Sequence, residues 1–150
     1  MGPRSTIHKA MWLTAVLTLL SGPTPTQAFE DDQKRTARDI VKVLEAYAVY
    51  KMGQYDLAFE RYLTLAKRGN RQGMLNVANM YSEGMGVEQS DAKAFRWYRR
   101  LAESGDRIGM EETARAYRTG VGVTRDEDRA IYWEHLANTG RNQSNRPDRN

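Results

Sequence analysis

Residues 73–106 read GMLNVANMYSEGMGVEQSDAKAFRWYRRLAESGD, and this stretch decides the fold because the chain repeats it. A forward shift of 36 positions places Gly73 on Gly109 and Tyr81 on Tyr117. A backward shift of the same length matches a set of small and apolar residues to one another: Ala94, Tyr98, Leu101, Ala102 and Gly105 fall on Ala58, Tyr62, Leu65, Ala66 and Gly69. Self-similarity at such a period is the signature of a stacked repeat array. Each unit must therefore bury its apolar face against a neighbour.

The repeat predicts an all-α fold, a right-handed α/α solenoid of three antiparallel helix pairs. Apolar residues at helical spacing, interrupted by glycines, place the helices at residues 33–52 and 55–66, 71–83 and 91–104, and 106–119 and 126–139. The second and third pairs are joined by long loops with two glycines two apart and then a valine. We expect the first glycine to adopt the left-handed conformation of a helix C-terminus and the valine to pack into the hairpin. Ser90 and Asp126 are suited to the N-cap or the first turn of the return helices.

The first 28 residues have the pattern of a secretory signal peptide. Arg4 and Lys9 precede ten apolar residues at 11–20, and a Pro-containing segment then ends in small residues. We predict cleavage after Ala28 and a periplasmic or secreted mature protein. An uncleaved anchor is the alternative, but the apolar run is half of the about 20 residues that span a bilayer. We therefore expect no stable membrane insertion after cleavage.

The predicted domains are a signal peptide at 1–28, an N-terminal helix at 29–53, a repeat domain at 54–140 and a disordered tail at 141–150. The tail contains no apolar residue and cannot bury surface. The chain has 23 Lys and Arg residues against 19 Asp and Glu residues, and the leader holds two of the basic residues without any acid. The remaining charges are nearly balanced and interspersed, so we predict no nucleic-acid partner.

The composition offers little for catalysis. Cysteine is absent, which excludes disulfides, thiol nucleophiles and thiolate metal sites. His135 is the only histidine beyond the leader, and the glycine loops follow helices rather than the strands that precede phosphate-binding loops. We predict no catalytic residue, no cofactor and no metal, and hence no enzyme.

The repeat unit resembles the Sel1-like repeat, a bacterial relative of the tetratricopeptide repeat. The resemblance covers most of residues 53–140 and is carried by linked positions: Val77-Ala78, Tyr81, Gly84-x-Gly86-Val87, Asp91-Ala92-x-Ala94, Trp97-Tyr98 and Leu101-Ala102-Glu103-x-Gly105-Asp106. Gly73 and Gly109 stand where the family usually has alanine, and each glycine costs about 1 kcal/mol in a helix interior.

The last helix leaves two registers open. Leu136, Ala137 and Gly140 match the preceding unit at an offset of 35 rather than 36. Either Ala130 and Trp133 keep the roles of the family's alanine and tryptophan, or Tyr132 and Trp133 replace Trp97 and Tyr98.

The resemblance implies that the first helix of each pair lines a concave surface on which extended peptides dock. The helix register gives the predicted partner-binding residues as Val43, Tyr47, Tyr50, Gln72, Leu75, Asn79, Ser82, Glu111, Arg115 and Arg118. Arg115 and Arg118 share a helix face at i, i+3 spacing and could hold a carboxylate. The alternative is that both are solvated side chains.

The resemblance implies an adaptor or regulatory scaffold that binds a protein or peptide, and the leader pattern implies that it is exported. Two alternatives come from other classes. One is a hydrolase acting on cell-wall or β-lactam substrates, although relatives with that activity are rich in cysteine. The other is a subunit of a homo-oligomer or of a secreted effector.

Overall fold

The computed structural model describes residues 24–144, and every regular element in that range is an α-helix. The six helices are α1 (Pro25–Lys51), α2 (Tyr55–Lys67), α3 (Arg71–Glu83), α4 (Asp91–Glu103), α5 (Arg107–Thr119) and α6 (Glu127–Ser144). They form the helical repeat solenoid that the sequence predicts. Five of the helices agree with their predicted starts to within one residue because glycines and caps mark those ends locally.

The chain consists of two compact units, and the boundary lies between Arg38 and Asp39. The first unit contains the beginning of α1, and the second contains the rest of α1 and all later helices. The hydrophobic core and the clefts lie within the second unit.

Helix α1 begins at Pro25, eight residues before the predicted start. The Thr24 hydroxyl accepts a hydrogen bond from the Gln27 backbone N–H at 3.3 Å, and Gln27 Oε1 accepts one from the Thr24 N–H at 3.1 Å. This reciprocal pair is a capping box, with proline at the first helical position, where it is favoured. The predicted signal peptide falls largely on residues 1–23, which lie outside the described range, and its last residues belong to this helix start.

Side-chain caps fix the starts of four later helices. The Ser90 hydroxyl accepts from the Lys93 N–H, and Asp126 Oδ1 accepts from the Arg129 N–H at 3.0 Å, which confirms both predicted caps. Asn70 caps α3 in the same way. Asp106, which the sequence analysis placed inside a helix, is the N-cap of α5 and accepts from two backbone N–H groups, at 2.9 and 3.2 Å.

Replacing Asp106 with alanine is expected to lower the free energy of unfolding by about 1 kcal/mol, because two N–H groups at the start of α5 lose their acceptor. Urea unfolding followed by circular dichroism measures the change. Asp106→Asn keeps an acceptor at the same place and should recover most of the loss. If Asp106→Asn lowered the free energy of unfolding as much as Asp106→Ala, the charge, and not the cap, would stabilise the start of α5.

The two long loops are held by left-handed glycines. Gly84 and Gly120 end their helices with φ of 70° and 77°, as predicted. Gly86 and Gly122 are also left-handed, with φ of 66° and 73°. The valines that follow are half-buried against the core, which confirms their predicted packing. Each loop therefore needs two residues in a conformation that favours glycine.

The helix pairs stack through an aromatic contact that recurs at the repeat period. Phe59 on α2 meets Tyr81 on α3 edge-on, with ring centroids 5.1 Å apart. Phe95 on α4 meets Tyr117 on α5 in the same way at 5.3 Å. Leu65, Met74, Val77, Leu101 and Thr113 are the largest fully buried side chains. The aromatic residues of these two contacts therefore pack between successive helix pairs.

Gly73 and Gly109 do more than weaken their helices. A Cβ atom on Gly73 would lie 2.7 Å from the Ala66 backbone nitrogen, and one on Gly109 would lie 2.8 Å from the Leu101 carbonyl carbon. Real Cβ atoms do not approach so closely. Each glycine lets its helix lie directly on the backbone of the preceding helix, so the unfavourable helix propensity accompanies a close helix crossing.

The structure decides between the two registers of α6. Ala130 is fully buried, and Trp133 packs half-buried against the Phe95 and Tyr117 cluster. Tyr132 is 59% exposed. Ala130 and Trp133 therefore keep the roles of Ala94 and Trp97. Helix α6 continues to Ser144, past the predicted end of the repeat domain at Gly140, and residues 145–150 of the predicted tail lie outside the described range.

None of the helices between residues 24 and 144 has the length and apolar character needed to cross a bilayer.

Candidate functional site

A cleft of about 140 Å³ lies between α3, α4 and α5, and we call it the α3–α5 cleft. Its apolar walls are Ala94, Phe95 and Ala116, all of them buried. The repeat itself creates this space because α3 and α5 are successive first helices and α4 passes beneath them. Two of the predicted residues, Ser82 and Arg115, line the cleft.

Tyr98 is the polar residue at the base of the α3–α5 cleft. Its hydroxyl donates a 2.7 Å hydrogen bond to Asn79 Oδ1 on α3, which joins two helices. Burial, followed by the negative charge of Glu112, raises the pKa of the Tyr98 phenol to about 12. The phenol is therefore neutral at physiological pH and can still accept a hydrogen bond from a ligand.

An ion pair stands at the rim of the same cleft. Arg115 Nη2 donates to Glu112 Oε2, one turn back on α5. This hydrogen bond is the main reason that the pKa of Arg115 is raised. Asp91, at the start of α4, adds a second carboxylate to the lining. The cleft thus combines apolar walls with two carboxylates and one guanidinium.

A second cleft of about 320 Å³ separates α5 from α6, and Arg118 occupies it. Arg118 donates to Glu134 Oε2 at 2.8 Å and to Glu127 Oε1 at 3.3 Å, both on α6. The bond to Glu134 is the main cause of the raised pKa of Arg118. Glu111 lines this cleft and accepts a 2.7 Å hydrogen bond from Arg107.

The predicted residues of α1 divide between core and surface. Val43 and Tyr50 are half-buried against the core. The Tyr50 hydroxyl donates to Met85 Sδ at 3.0 Å, and its ring meets Tyr55 edge-on at 5.1 Å, so this residue packs across the hairpin corner. Tyr47 is 52% exposed and is the one of the three with a large accessible surface.

The predicted residues of α3 and α5 also divide. Gln72 is exposed, Leu75 packs against the core, and Asn79 accepts from Tyr98. The structure brings Ser82 and Arg115 together at the α3–α5 cleft. Glu111 and Arg118 line the α5–α6 cleft, which Arg115 also lines. Both predicted arginines are ion-paired, and neither presents an unpaired guanidinium for a carboxylate.

The sequence analysis missed Tyr98 and Glu112 as site residues. Tyr98 recurs with the other aromatic residues of the repeat, and only its contact with Asn79, nineteen residues away, distinguishes it. Glu112 carries a usable local signal, since it precedes Arg115 by three residues on the same helix.

No metal centre is formed in the part of the chain that the structure describes, since its one histidine and its carboxylates nowhere form a group of three that could hold an ion. His135 is exposed on α6. The chemistry that the site offers is hydrogen bonding and charge around an apolar cleft.

Raising the pH from 10 to 12 is expected to destabilise the protein partly through Tyr98. Because its folded-state pKa lies above the usual 10, its stabilising contribution is complete below pH 10 and is lost as the pH rises through 12. Tyr98→Phe should therefore show a smaller loss of stability over this window, measured by urea unfolding at several pH values.

Tyr50 and Tyr62 also have raised pKa values and keep their contributions in the variant. At pH 7 the variant should lose about 1 kcal/mol with the hydrogen bond. Identical pH profiles of the two proteins would show that Tyr98 is not preferentially protonated in the folded state.

The repeats match a known family. Residues 71–106 and 108–137 each match the Sel1 repeat. A comparison with curated proteins finds no match.

Two crystal structures are similar to this chain. A Sel1 repeat protein from Oxalobacter formigenes is 32% identical, with a TM-score of 0.55, over 57% of this chain and 65% of its own. A protective antigen present in uropathogenic Escherichia coli strains, which displays an SLR fold, is 30% identical, with a TM-score of 0.63, over 71% of this chain and 24% of its own. The chain therefore spans less than two thirds of the length of either protein.

Proposed function

Since this chain is a Sel1-like repeat protein, we propose that it is an exported interaction module that binds a peptide or partner protein on its first helices. Sel1 repeats generally mediate protein–protein interactions, and proteins built from them are typically scaffolds without enzymatic activity. The observation that carries the proposal is the α3–α5 cleft, which is bordered by successive first helices and holds polar groups over apolar walls. An adaptor or regulatory role follows from binding without catalysis.

The binding surface that we propose runs from α1 across α3 to α5. It begins with the exposed ring of Tyr47, continues through the exposed amide of Gln72, and ends at the cleft with Ser82 and Arg115. The surface is therefore aromatic and apolar at one end and charged at the other. Such a gradient gives an extended peptide one preferred direction, because its apolar and charged residues must match the two ends.

The proposal of export rests on the pattern of residues 1–28, with its two basic residues, its short apolar run and its small residues at the end. We propose the periplasm or the exterior of the cell as the destination. Expression of the full chain followed by fractionation and N-terminal sequencing tests this proposal. A mature N-terminus at Phe29 in the exported fraction is expected, and retention of residues 1–28 in the membrane fraction would favour the anchor.

The binding proposal is tested with a triple variant, Tyr47→Ala, Gln72→Ala and Ser82→Ala, which shortens side chains at the surface of the first helices without touching the buried core. Crosslinking of the exported protein followed by mass spectrometry identifies partners of the wild type. We expect the triple variant to lose them or to bind at least about tenfold more weakly.

The matched control replaces three exposed arginines on the second helices, Arg61, Arg96 and Arg99, with alanine. This variant should retain every partner. The same partners crosslinked equally by both triple variants would show that the first helices are not the binding surface.

A further inference from the structure

We propose that the α3–α5 cleft binds a lysine or arginine side chain of the partner. This inference rests on the proposed function, since it assumes that a protein segment lies across α3 and α5. It adds the chemistry of the residue that anchors that segment, which none of the similarities to other proteins indicates.

The walls of the cleft suit the stem of a long basic side chain. Ala94, Phe95 and Ala116 are apolar and buried, and they enclose about 140 Å³ together with the base at Tyr98. Lysine and arginine bury their methylene groups along apolar surface while the charged end stays at a polar site. The rings of Phe95 and Tyr98 offer aromatic surface that also attracts a cation.

The charges around the cleft select a cation over an anion. Glu112 and Asp91 line the cleft, and Arg115 is the cation that lines it. The charge of Glu83 also reaches the Tyr98 hydroxyl, on which it acts in the same sense as Glu112. The carboxylates of Glu112 and Glu83 therefore act on this hydroxyl and that of Asp91 lines the same cleft, against one guanidinium, so an acidic side chain would meet net repulsion and a basic one net attraction.

The ion pair at the rim can be exchanged for a ligand. The Glu112 side chain is 27% exposed, whereas that of Arg115 is 68% exposed, so the carboxylate belongs to the cleft and the guanidinium to the solvent. An exposed partner of this kind contributes little to stability and can turn outward at small cost. An incoming basic group then replaces Arg115 at Glu112, and the neutral Tyr98 hydroxyl can accept one of its N–H groups.

The test uses small probes that carry one side chain each, the Nα-acetyl N-methylamides of lysine, arginine, norleucine and glutamate. Each is titrated into ¹⁵N-labelled full-length protein, and amide shifts in α3, α4 and α5 are followed by NMR. We expect the lysine or arginine probe to shift amides around the cleft, with a Kd on the order of millimolar. Norleucine, which matches the stem without the charge, should bind about tenfold more weakly.

Two glutamate variants form a matched pair. Glu112→Gln should weaken binding of the basic probe about tenfold. Glu103→Gln removes the same charge from an exposed position on α4 that lines neither cleft, and should leave binding unchanged. If circular dichroism shows that Glu112→Gln is unfolded, Asp91→Asn replaces it and should weaken binding about threefold, as a more exposed carboxylate.

Three outcomes would overturn the inference: tighter binding of glutamate, equal binding of norleucine, or no shift of cleft amides with any probe. An equal effect of Glu103→Gln and Glu112→Gln would also reject it, because general electrostatics would then explain the binding. None of these outcomes affects the crosslinking test of the proposed function, which depends on Tyr47, Gln72 and Ser82.

Discussion

Replacing Gly122 with alanine should lower the free energy of unfolding by about 3 kcal/mol, from two separate causes. Gly122 has a φ of 73°, and an alanine held in this left-handed conformation costs about 1–2 kcal/mol. Its Cβ would also lie 2.6 Å from the Asp91 carbonyl carbon in the first turn of α4. Relief of that overlap requires the loop to move away from α4, which costs about 1–3 kcal/mol more.

Gly105→Ala is the control that separates the two causes. Gly105 is equally left-handed, with a φ of 85°, but nothing lies within 4 Å of its Cβ position. Alanine there should lower the stability by only about 1 kcal/mol. Urea unfolding of both variants gives the comparison. Equal losses would show that the Gly122 loop does not lie against the backbone of α4.

Gly109→Ala should also destabilise the protein, by about 2 kcal/mol, although helix propensity alone favours alanine by about 1 kcal/mol. The reason is the crossing of α5 over α4, where a Cβ would lie 2.8 Å from both the Leu101 carbonyl carbon and its Cγ. The backbone of α4 cannot move aside as a flexible side chain could. The packing loss should therefore outweigh the gain in helix propensity.

Thermal and urea unfolding decide whether Gly109→Ala lowers or raises the free energy of unfolding. Gln72→Ala, at an exposed position in the first turn of α3, reports helix propensity without a crossing and should change stability by less than about 0.5 kcal/mol. A more stable Gly109→Ala protein would mean that α5 stands further from α4 than the structure places it. The alanine that the family usually carries at this position would then fit here as well.

The sequence predicts the helices well because their limits are local. Arg71–Glu83 was predicted at both ends, since Gly84 in the left-handed conformation stops the helix where the apolar spacing breaks. The start of α1 was missed for a local reason too. Thr24 and Gln27 form a capping box, but the same residues also fit the end of a signal peptide, and that interpretation was preferred.

The candidate site is less predictable because it depends on which helices lie side by side. The repeat indicates that Tyr98 recurs, but only the packing of α4 beneath α3 brings its hydroxyl to Asn79. In the same way Arg118 meets Glu127 and Glu134, nine and sixteen residues further on. Helix propensity cannot predict the close crossings at Gly73 and Gly109, because it assigns to a glycine only a loss of helix stability.

The aromatic contacts that recur between helix pairs also set an order of local opening. The Phe59–Tyr81 contact and the Phe95–Tyr117 contact each involve the pair α3–α4, whereas the pairs α1–α2 and α5–α6 take part in one of these contacts each. In arrays stabilised by neighbouring contacts, the unit that shares two interfaces opens only when both are broken. Amide hydrogen exchange should therefore be slowest in α3 and α4. Protease cleavage under mild conditions should begin in the outer pairs and leave α3 and α4 as the last protected fragment.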